Sequence, residues 1–487
     1  MITYRTSVAA LPRRILLTGL VLVITGCAQI PELDQLAVPK DGQSYVTRQS
    51  FFAPDTRWPD DRWWQAYADP QLDALIDEGL RGAPDLAAAS ARLRRAEATG
   101  QVAGAPLLPQ LSANGSATEQ KQSYNYLTPK SMTPEGWQDY GRATLDLSWE
   151  LDLWGKNRAA LAAATSETEA SRAELAQARL TLSASIATDY MELARLFAAQ
   201  DTAARSVEVR SKTAALFAER FANGLETKGS LREAEAKRAS AEGDLLQVEE
   251  QIGLQRYRLA ALLGAGPDRG LAIERPIVDL RRPLGLPNEL AASLLGRRPD
   301  VVAARLRTEA QLRRIDQKKA EFYPDINLSA FIGLQSLGLD LLSKGGSSVG
   351  SIGPAISLPI FTGGRLSGEL RSTVASYDEA VANYNRTVTR ALQEVANAGL
   401  SQKKLGGRLA KAEEAAAAAT EAHQTSRNRY EGGLATYIEV LSAEDVLLGS
   451  LRSLTDLQSR SFSLDVALMQ ALGGGYSEPS QASHASN

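Results

Sequence analysis

Few side chains in this 487-residue sequence could carry out covalent or metal chemistry. The chain has a single cysteine, Cys27, and two histidines, His423 and His484. One cysteine excludes a disulfide framework and a thiolate metal cluster. His423 lies in a long helical pattern and His484 in a serine-rich tail, without the neighbouring residues of a metal or nucleophilic site. We therefore expect no catalytic centre, metal or cofactor, and Cys27 is the residue whose chemistry stands out.

Cys27 closes a segment with the features of a secretory signal. Three arginines precede an apolar run over residues 15–24, and the run ends in Ile24-Thr25-Gly26-Cys27. This ending resembles the bacterial lipobox, in which cleavage precedes the cysteine and its thiol receives diacylglycerol. We predict a signal peptide over 1–26 and an acylated Cys27 (N-acyl, S-diacylglycerol); an inert cysteine is the alternative. Ala28, in place of aspartate, favours the outer membrane in the lipoproteins that this segment resembles.

The chain contains a long internal repeat. Arg220-Phe221-Ala222-Asn223-Gly224-Leu225 returns as Arg429-Tyr430-Glu431-Gly432-Gly433-Leu434, an offset of 209 residues. Solenoid units are only about 20–50 residues long. The repeat therefore predicts two duplicated half-domains that build the same structural unit.

Each half has a segment of two-residue periodicity. From Ala143, apolar residues alternate with Thr144, Asp146, Ser148, Glu150 and Asp152. A half-buried strand of a soluble sheet has this pattern, and so does a membrane barrel strand with lipid outside and water inside. We predict one β-hairpin per half, about 111–154 and about 326–361, and four strands in total.

Long helices follow each hairpin. No proline occurs between Pro134 and Pro267 or between Pro359 and Pro479, and both stretches are rich in Ala, Glu, Arg and Leu. Heptads in the returning helices indicate coiled-coil packing, with Arg238, Gln255, Ser450 and Ser461 as exceptions. A free-standing rod is the common alternative for such patterns.

These patterns divide the chain into six predicted regions, and no basic stripe suggests nucleic acid as a partner. The regions are the signal peptide 1–26, a lipidated arm 27–70, a first half 71–267 with a helical hairpin at about 155–263, a linker 268–287, a second half 288–475 with a helical hairpin at about 364–472, and a tail 476–487.

Four strands are too few to close a barrel, since about eight are needed. Open strand edges are not tolerated in lipid. If the strands lie in a membrane, several subunits must therefore contribute them. A barrel of pooled strands, continued by a barrel of pooled helices, forms a tunnel.

The sequence resembles the TolC-like outer membrane factors, in particular the NodT-type efflux lipoproteins. The resemblance covers nearly all of the mature chain. The matching segments are Trp63-Trp64, Asp69-Pro70-Gln71-Leu72, Pro84-Asp85-Leu86, Ser148-Trp149-Glu150-Leu151-Asp152-Leu153-Trp154-Gly155, Arg297-Arg298-Pro299-Asp300, Phe361-Thr362-Gly363-Gly364 and Leu472-Gly473-Gly474-Gly475.

This resemblance implies a mainly α fold with a membrane β-barrel. Three subunits would form a twelve-stranded barrel, a long periplasmic α-helical barrel and an equatorial domain. The implied function is the exit duct of a tripartite pump. The implied partners are outer membrane lipid, a periplasmic adaptor (membrane fusion) protein and an inner-membrane RND-type pump.

The resemblance also implies roles for the two helical turns. Gly224, Leu225, Gly433 and Leu434 would lie at the periplasmic tip and contact the adaptor, although glycine also serves any tight helix reversal.

The family's acidic pore rings correspond to Glu439 and Ser442, so only the first ring is kept. The acid that clamps the closed state in relatives corresponds to Ser230. We therefore expect closure to rest on other contacts, involving Arg220, Arg429 or Tyr430. A solvated helix face is the alternative for Glu439.

Two other functions compete with a channel. A lipid-anchored periplasmic enzyme would need a catalytic constellation, which the two histidines do not provide. A structural rod or tether would not need amphipathic strand hairpins.

Overall fold

The computed structural model describes residues 29–33, 35–41, 44–47, 58–125, 129–277 and 296–478. Cys27 and the predicted signal peptide lie outside the described residues. So do residues 278–287 of the predicted linker and 479–487 of the predicted tail.

The described residues contain eight α-helices, four of them in two long hairpins, and one four-stranded sheet. The helices are α1 (Pro70–Gly82), α2 (Pro84–Gly104), α3 (Lys156–Ala222), α4 (Lys228–Leu262), α5 (Pro267–Leu271), α6 (Pro299–Ala320), α7 (Arg365–Glu431) and α8 (Tyr437–Ala471). The strands are β1 (Gln110–Gln120), β2 (Gln138–Glu150), β3 (Asp325–Leu337) and β4 (Ser348–Ser357).

The two halves repeat these elements at equal length. Helices α3 and α7 each have 67 residues, and α4 and α8 each have 35. We call α3–α4 the first hairpin and α7–α8 the second hairpin. Among the described residues, no helix is both long enough and apolar enough to cross a membrane.

The strands are shorter than the alternating pattern predicted. β2 ends at Glu150, and β4 ends at Ser357. Asp152 therefore lies beyond the end of β2 and does not belong to a strand. Its carboxylate instead accepts hydrogen bonds from the backbone N–H groups of Asn157 (3.2 Å) and Arg158 (2.9 Å), at the start of α3. The alternating pattern included Asp152 in the predicted strand, and this was wrong, because an acid that caps a helix fits the same alternation.

The described residues cluster into two compact units. The first unit contains Arg94–Glu169, Arg305–Asn383 and the described residues up to Val38. It holds the sheet and an apolar core around Ile315 and Leu370, against which Leu33 and Leu36 of the N-terminal arm pack.

The second unit contains the described parts of Pro39–Leu93, Ala170–Ala304 and Tyr384–Asn487. Its core gathers Trp63, Trp64, Leu72, Ile76 and Tyr190. Burial of such large side chains is the main stabilising contribution.

Segments that suggested the family have structural roles in the second unit. Asp69 caps α1 through the N–H of Gln71 (2.9 Å), and its second carboxylate oxygen accepts from the Tyr190 hydroxyl (2.8 Å). Gly473 has a φ of +88°, and an added Cβ would collide with the carbonyl oxygen of Arg297. Glycine is therefore required where the end of α8 meets the segment before α6.

Candidate functional site

The sheet in the first unit has one continuous apolar face. Its strand order is β1-β2-β3-β4, all antiparallel. In the strand register, Leu111 of β1 pairs with Leu147 of β2, Leu147 pairs with Ala330 of β3, and Ala330 pairs with Ile352 of β4. Directly paired residues point to the same side of a sheet. This row therefore crosses all four strands on one face.

Large side chains on this face are exposed in the protomer. The exposed fraction is 69% for Leu111, 50% for Leu145, 69% for Ile332, 76% for Ile352 and 69% for Ile356. An apolar surface of this extent marks a surface that meets protein or lipid.

The opposite face of the sheet is polar. Asp146 accepts hydrogen bonds from Asn114 Nδ2 (2.9 Å) and Thr144 Oγ1 (2.7 Å). Phe331 is an apolar exception on this face, and the Arg142 guanidinium lies 5.0 Å from its ring centroid. The alternation predicted from Ala143 onward therefore separates two faces of opposite character.

Aromatic side chains lie at the helix-proximal end of the sheet. The Trp154 and Tyr323 rings stack with centroids 4.9 Å apart, and Trp154 Nε1 donates to the carbonyl oxygen of Pro324 (2.8 Å). Phe361 is 90% exposed. Aromatic rings at the end of an apolar band are typical of a membrane–water boundary.

The second unit contains both helical turns, and the turns have matching geometry. Leu225 N–H donates to Arg220 O (2.8 Å), and Leu434 N–H donates to Arg429 O (2.8 Å). Gly224 has a φ of +72° and Gly433 a φ of +73°. The glycines therefore have the predicted backbone role of a left-handed helix ending.

The first turn carries a residue that the sequence reasoning missed. Glu226 accepts a hydrogen bond from the hydroxyl of Tyr430 in the second hairpin (2.6 Å) and another from Ser230 Oγ (2.7 Å). Arg220 lies over the Tyr430 ring, 4.6 Å from its centroid. We call Glu226, Tyr430, Arg220 and Ser230 the latch.

The latch stabilises an ionised carboxylate. Burial raises the pKa of Glu226, but hydrogen bonds from Tyr430, Ser230 and the backbone of Thr227, with the charge of Arg220, outweigh burial, and the pKa lies below its usual range. Burial, followed by the hydrogen bond and charge of Glu226, raises the pKa of Tyr430. The Tyr430–Glu226 bond is therefore a charge-assisted hydrogen bond near neutral pH.

Of the predicted gate residues, the structure brings Arg220, Tyr430 and Ser230 together and places Arg429 elsewhere. Arg429 Nη2 donates to Leu434 O (3.0 Å), and its Nη1 lies 3.6 Å from Glu439. Ser442 is exposed on α8. Ser230 is not an acid, but its hydroxyl donates a hydrogen bond to Glu226, four residues earlier in the turn before α4.

Glu439 also starts a helix. Its Oε1 accepts from the backbone N–H of Thr436 (3.1 Å), in a capping box at the start of α8. Hydrogen bonds from the Thr436 backbone and side chain, together with the charge of Arg429, lower the pKa of Glu439. The Thr-x-x-Glu spacing was the signal for this role.

The described residues contain no group of three His, Cys, Asp or Glu side chains that could hold a metal ion. Within this part of the chain, His423 is buried on α7.

A family described as "outer membrane efflux protein" matches residues 75–265 and 290–474. Each matched segment includes two strands and one helical hairpin.

Two curated relatives match over most of their length. The fusaric acid resistance protein FusA of Burkholderia cepacia is 34% identical over 473 residues, covering 93% of this chain and 86% of that protein. The multidrug resistance outer membrane protein MdtP of Escherichia coli strain K12 is 31% identical over 465 residues, covering 94% of this chain and 95% of that protein.

A solved structure matches as well. The crystal structure of the outer membrane protein VceC of Vibrio cholerae superimposes with a TM-score of 0.82 at 50% sequence identity, covering 86% of this chain and 100% of that chain.

Proposed function

This chain belongs to the outer membrane efflux protein family, and from that premise we propose that three copies form the exit duct of one tripartite efflux pump. The family predicted from the sequence is confirmed, and the chain is an outer membrane efflux channel that extends into the periplasm. Membership of a family of channels argues against the alternative of a periplasmic enzyme.

One observation carries the trimer proposal: the exposed apolar face runs without interruption across a sheet of only four strands. Four strands cannot close a barrel, and β1 and β4 each pair on one side only within the described chain. In lipid, both edges must pair. When β4 of each copy pairs with β1 of the next copy, three copies form a closed twelve-stranded barrel. Lipid then lies outside this barrel, and the face that carries Asp146 points toward water.

The helical hairpins are proposed to continue this barrel as a periplasmic tunnel. Leu225 and Leu434, which are 64% and 74% exposed, are then available at the tip for the adaptor protein. The latch holds the two hairpins of each subunit together and so contributes to the closed state. An inner-membrane RND-type pump would deliver the cargo, which we propose to be drugs or other small molecules.

Planar bilayer recording tests this function against a rod or tether. Purified full-length protein is expected to insert as trimers and to give discrete conductance steps. A rod or tether would give none. Stable trimers that leave the bilayer resistance unchanged would refute the channel.

Cys27 is expected to be the acylated N-terminus of the mature protein. Several acyl chains anchor a protein firmly, whereas one is marginal. Since the barrel itself lies in the membrane, Cys27→Ala is expected to reduce sorting to the outer membrane more than trimer stability. Mass spectrometry of the N-terminal peptide checks the acylation. A free thiol at Cys27, or a different N-terminus, would contradict it.

Glu439→Gln is expected to lower the cation-to-anion permeability ratio. In a trimer, three copies of Glu439 would surround a narrow aqueous path, where like charges between low-dielectric walls focus a negative potential. Glutamine at this position can still form the capping box with Thr436, so the start of α8 is preserved.

Ser442→Asp provides the opposite change, because it adds an acidic ring one turn further along α8. We expect increased cation selectivity and stronger block by multivalent cations. Reversal potentials in asymmetric salt measure both variants. Unchanged selectivity in the Glu439→Gln trimer would assign Glu439 a capping role alone.

A further inference from the structure

Two grooves in the second unit are counterparts of each other under the internal repeat. The first groove lies where α3, α4 and α8 meet, and its lining includes Ala199 and Val248. At the repeat offset of 209 residues, these two positions become Arg408 and Leu457, which line the second groove. Among the described residues, only α7 and α8 line the second groove. The second groove therefore lacks the third helix that closes the first.

Helix α8 is the third wall of the first groove, and its contacts with α3 define a register. Thr202 Oγ1 on α3 lies 3.4 Å from Thr455 Oγ1 on α8. Further along, Thr213 Oγ1 donates a hydrogen bond to Glu444 Oε2 (2.8 Å). The residue numbers rise along α3 while they fall along α8, so the two helices are antiparallel.

Helix α4 is the repeat counterpart of α8, and the corresponding face of α4 is exposed. Thr455 corresponds to Leu246, whose side chain is 66% exposed. Leu254 and Tyr257 on the same helix are 58% and 43% exposed. Intervals of eight and eleven residues from Leu246 place all three side chains on one side of a helix. An exposed apolar face of this kind marks a surface that contacts a partner.

Helix α7 is the repeat counterpart of α3, and its corresponding face is exposed and basic. This face carries Lys404, Arg408 and Lys411. The exposed face of α4 is acidic on both sides of Leu246, through Glu242, Glu249 and Glu250. A basic face on the second hairpin and an acidic face on the first hairpin are electrostatically complementary.

We propose that α4 of a second copy of this chain occupies the groove between α7 and α8. The face of α4 that carries Leu246 becomes the missing third wall, in the register that α8 adopts against α3 within one copy. The two faces in this contact are different, so the contact is heterologous and closes into a ring when its rotation permits. That the ring closes with three copies rests on the proposed function.

One ion pair across the subunit boundary follows from this register. Within one copy, Arg195 Nη1 lies 3.2 Å from the carboxylate of Asp456. The repeat counterparts of these two residues are Lys404 and Gln247, and Gln247 carries no charge. Glu250 lies three residues further along α4, on the same side of the helix. We therefore expect Lys404 of one copy to pair with Glu250 of the next copy.

Disulfide trapping of the full-length protein in outer membranes tests the contact directly. Lys411 and Leu246 are the repeat counterparts of Thr202 and Thr455, so they should be adjacent across the subunit boundary. Two cysteines form a disulfide only when their Cα atoms lie within about 7 Å. After oxidation, the double variant Lys411→Cys, Leu246→Cys is expected to form disulfides between subunits, which appear as linked species on non-reducing denaturing gels.

Two control variants fix the interpretation. Thr202→Cys with Thr455→Cys is the matched control, and its disulfide is expected to form within one copy and to leave denatured monomers. Glu413→Cys with Leu246→Cys moves the cysteine on α7 by two residues, to a different side of the helix. We expect severalfold less trapping between subunits from this pair.

A charge reversal tests the partner of Lys404. In the protein that carries Lys411→Cys and Leu246→Cys, Lys404→Glu is expected to reduce the yield of linked subunits severalfold, because it places two acids together. Adding Glu250→Lys to the same chain is expected to restore the yield, since each boundary then regains one opposite pair. A yield that the second change lowers further would show that these two residues do not meet.

The outcomes separate this contact from the proposed channel. Conducting trimers without a disulfide between Lys411→Cys and Leu246→Cys would overturn the contact and leave the channel standing. Equal trapping by the Glu413→Cys pair, or a mixed disulfide of Leu246→Cys with a different polypeptide, would also overturn it. Linked trimers that do not conduct would support the contact and contradict the channel, and monomers alone would contradict both.

Discussion

Leu145→Arg is expected to prevent assembly of the trimer in the outer membrane. Leu145 lies near the middle of β2, on the exposed apolar face. A charge on the lipid side of a membrane barrel costs about 2–4 kcal/mol at mid-bilayer and less near the interface. Three copies would raise this to roughly 6–12 kcal/mol per trimer, comparable with the whole stability of a typical domain.

The loss of assembly should depend on where the new charge lies along the strand. Leu147 is on the same face but closer to the end of β2 at Glu150, so Leu147→Arg is expected to be milder than Leu145→Arg. Ser148→Arg, on the polar face, is the matched control and is expected to assemble almost normally. The amount of trimer extracted from outer membranes measures all three variants. Equal losses from Leu145→Arg and Ser148→Arg would show that the facing is wrong.

Tyr430→Phe is expected to increase the open fraction of the channel by tenfold or more. The change removes the hydroxyl that donates to Glu226 but keeps the ring that Arg220 covers. A hydrogen bond to a charged group contributes about 1.5–3 kcal/mol, and about 1.4 kcal/mol corresponds to a factor of ten. Each of the three subunits would lose one such bond.

Tyr437→Phe is the control for the latch. Tyr437 contacts Phe217 in the same cluster, with centroids 6.0 Å apart, and its hydroxyl makes no hydrogen bond to the described residues. Its removal is expected to leave conductance unchanged. Glu226→Gln should reproduce the effect of Tyr430→Phe. If both latch variants conduct like the unmodified trimer, the latch has no part in closure.

Local periodicity explains how much of the fold was predictable. The absence of proline and the repeated Gly-Leu turns located α3, α4, α7 and α8 to within a few residues, because helix formation depends on nearby residues. The heptad exception Gln255 is buried, and its amide donates to the carbonyl oxygen of Asp189 (2.8 Å). The polar residue at this heptad position therefore has a hydrogen-bond partner on another helix, which the heptad spacing alone does not predict.

The sequence did not predict the side-chain pairs that connect the two hairpins, because their members lie far apart in the chain. Glu226 and Tyr430 are separated by 204 residues, and no local pattern pairs them. The same holds for Arg210 and Glu444, which come from different hairpins. By contrast, the capping box of Glu439 was visible in the spacing from Thr436. The sequence analysis used only the negative charge of Glu439 and did not predict that this residue caps the start of α8.

Electron cryo-microscopy of the full-length protein in detergent tests the central claim most directly. We predict particles with threefold symmetry, in which each subunit contributes four strands to one closed twelve-stranded barrel and two hairpins to a helical barrel around the same bore. The polar face that carries Asp146 should line the bore and the face that carries Leu145 should meet detergent. A monomer, or a trimer in which each four-stranded sheet stays separate and no bore passes through, would contradict the channel described here.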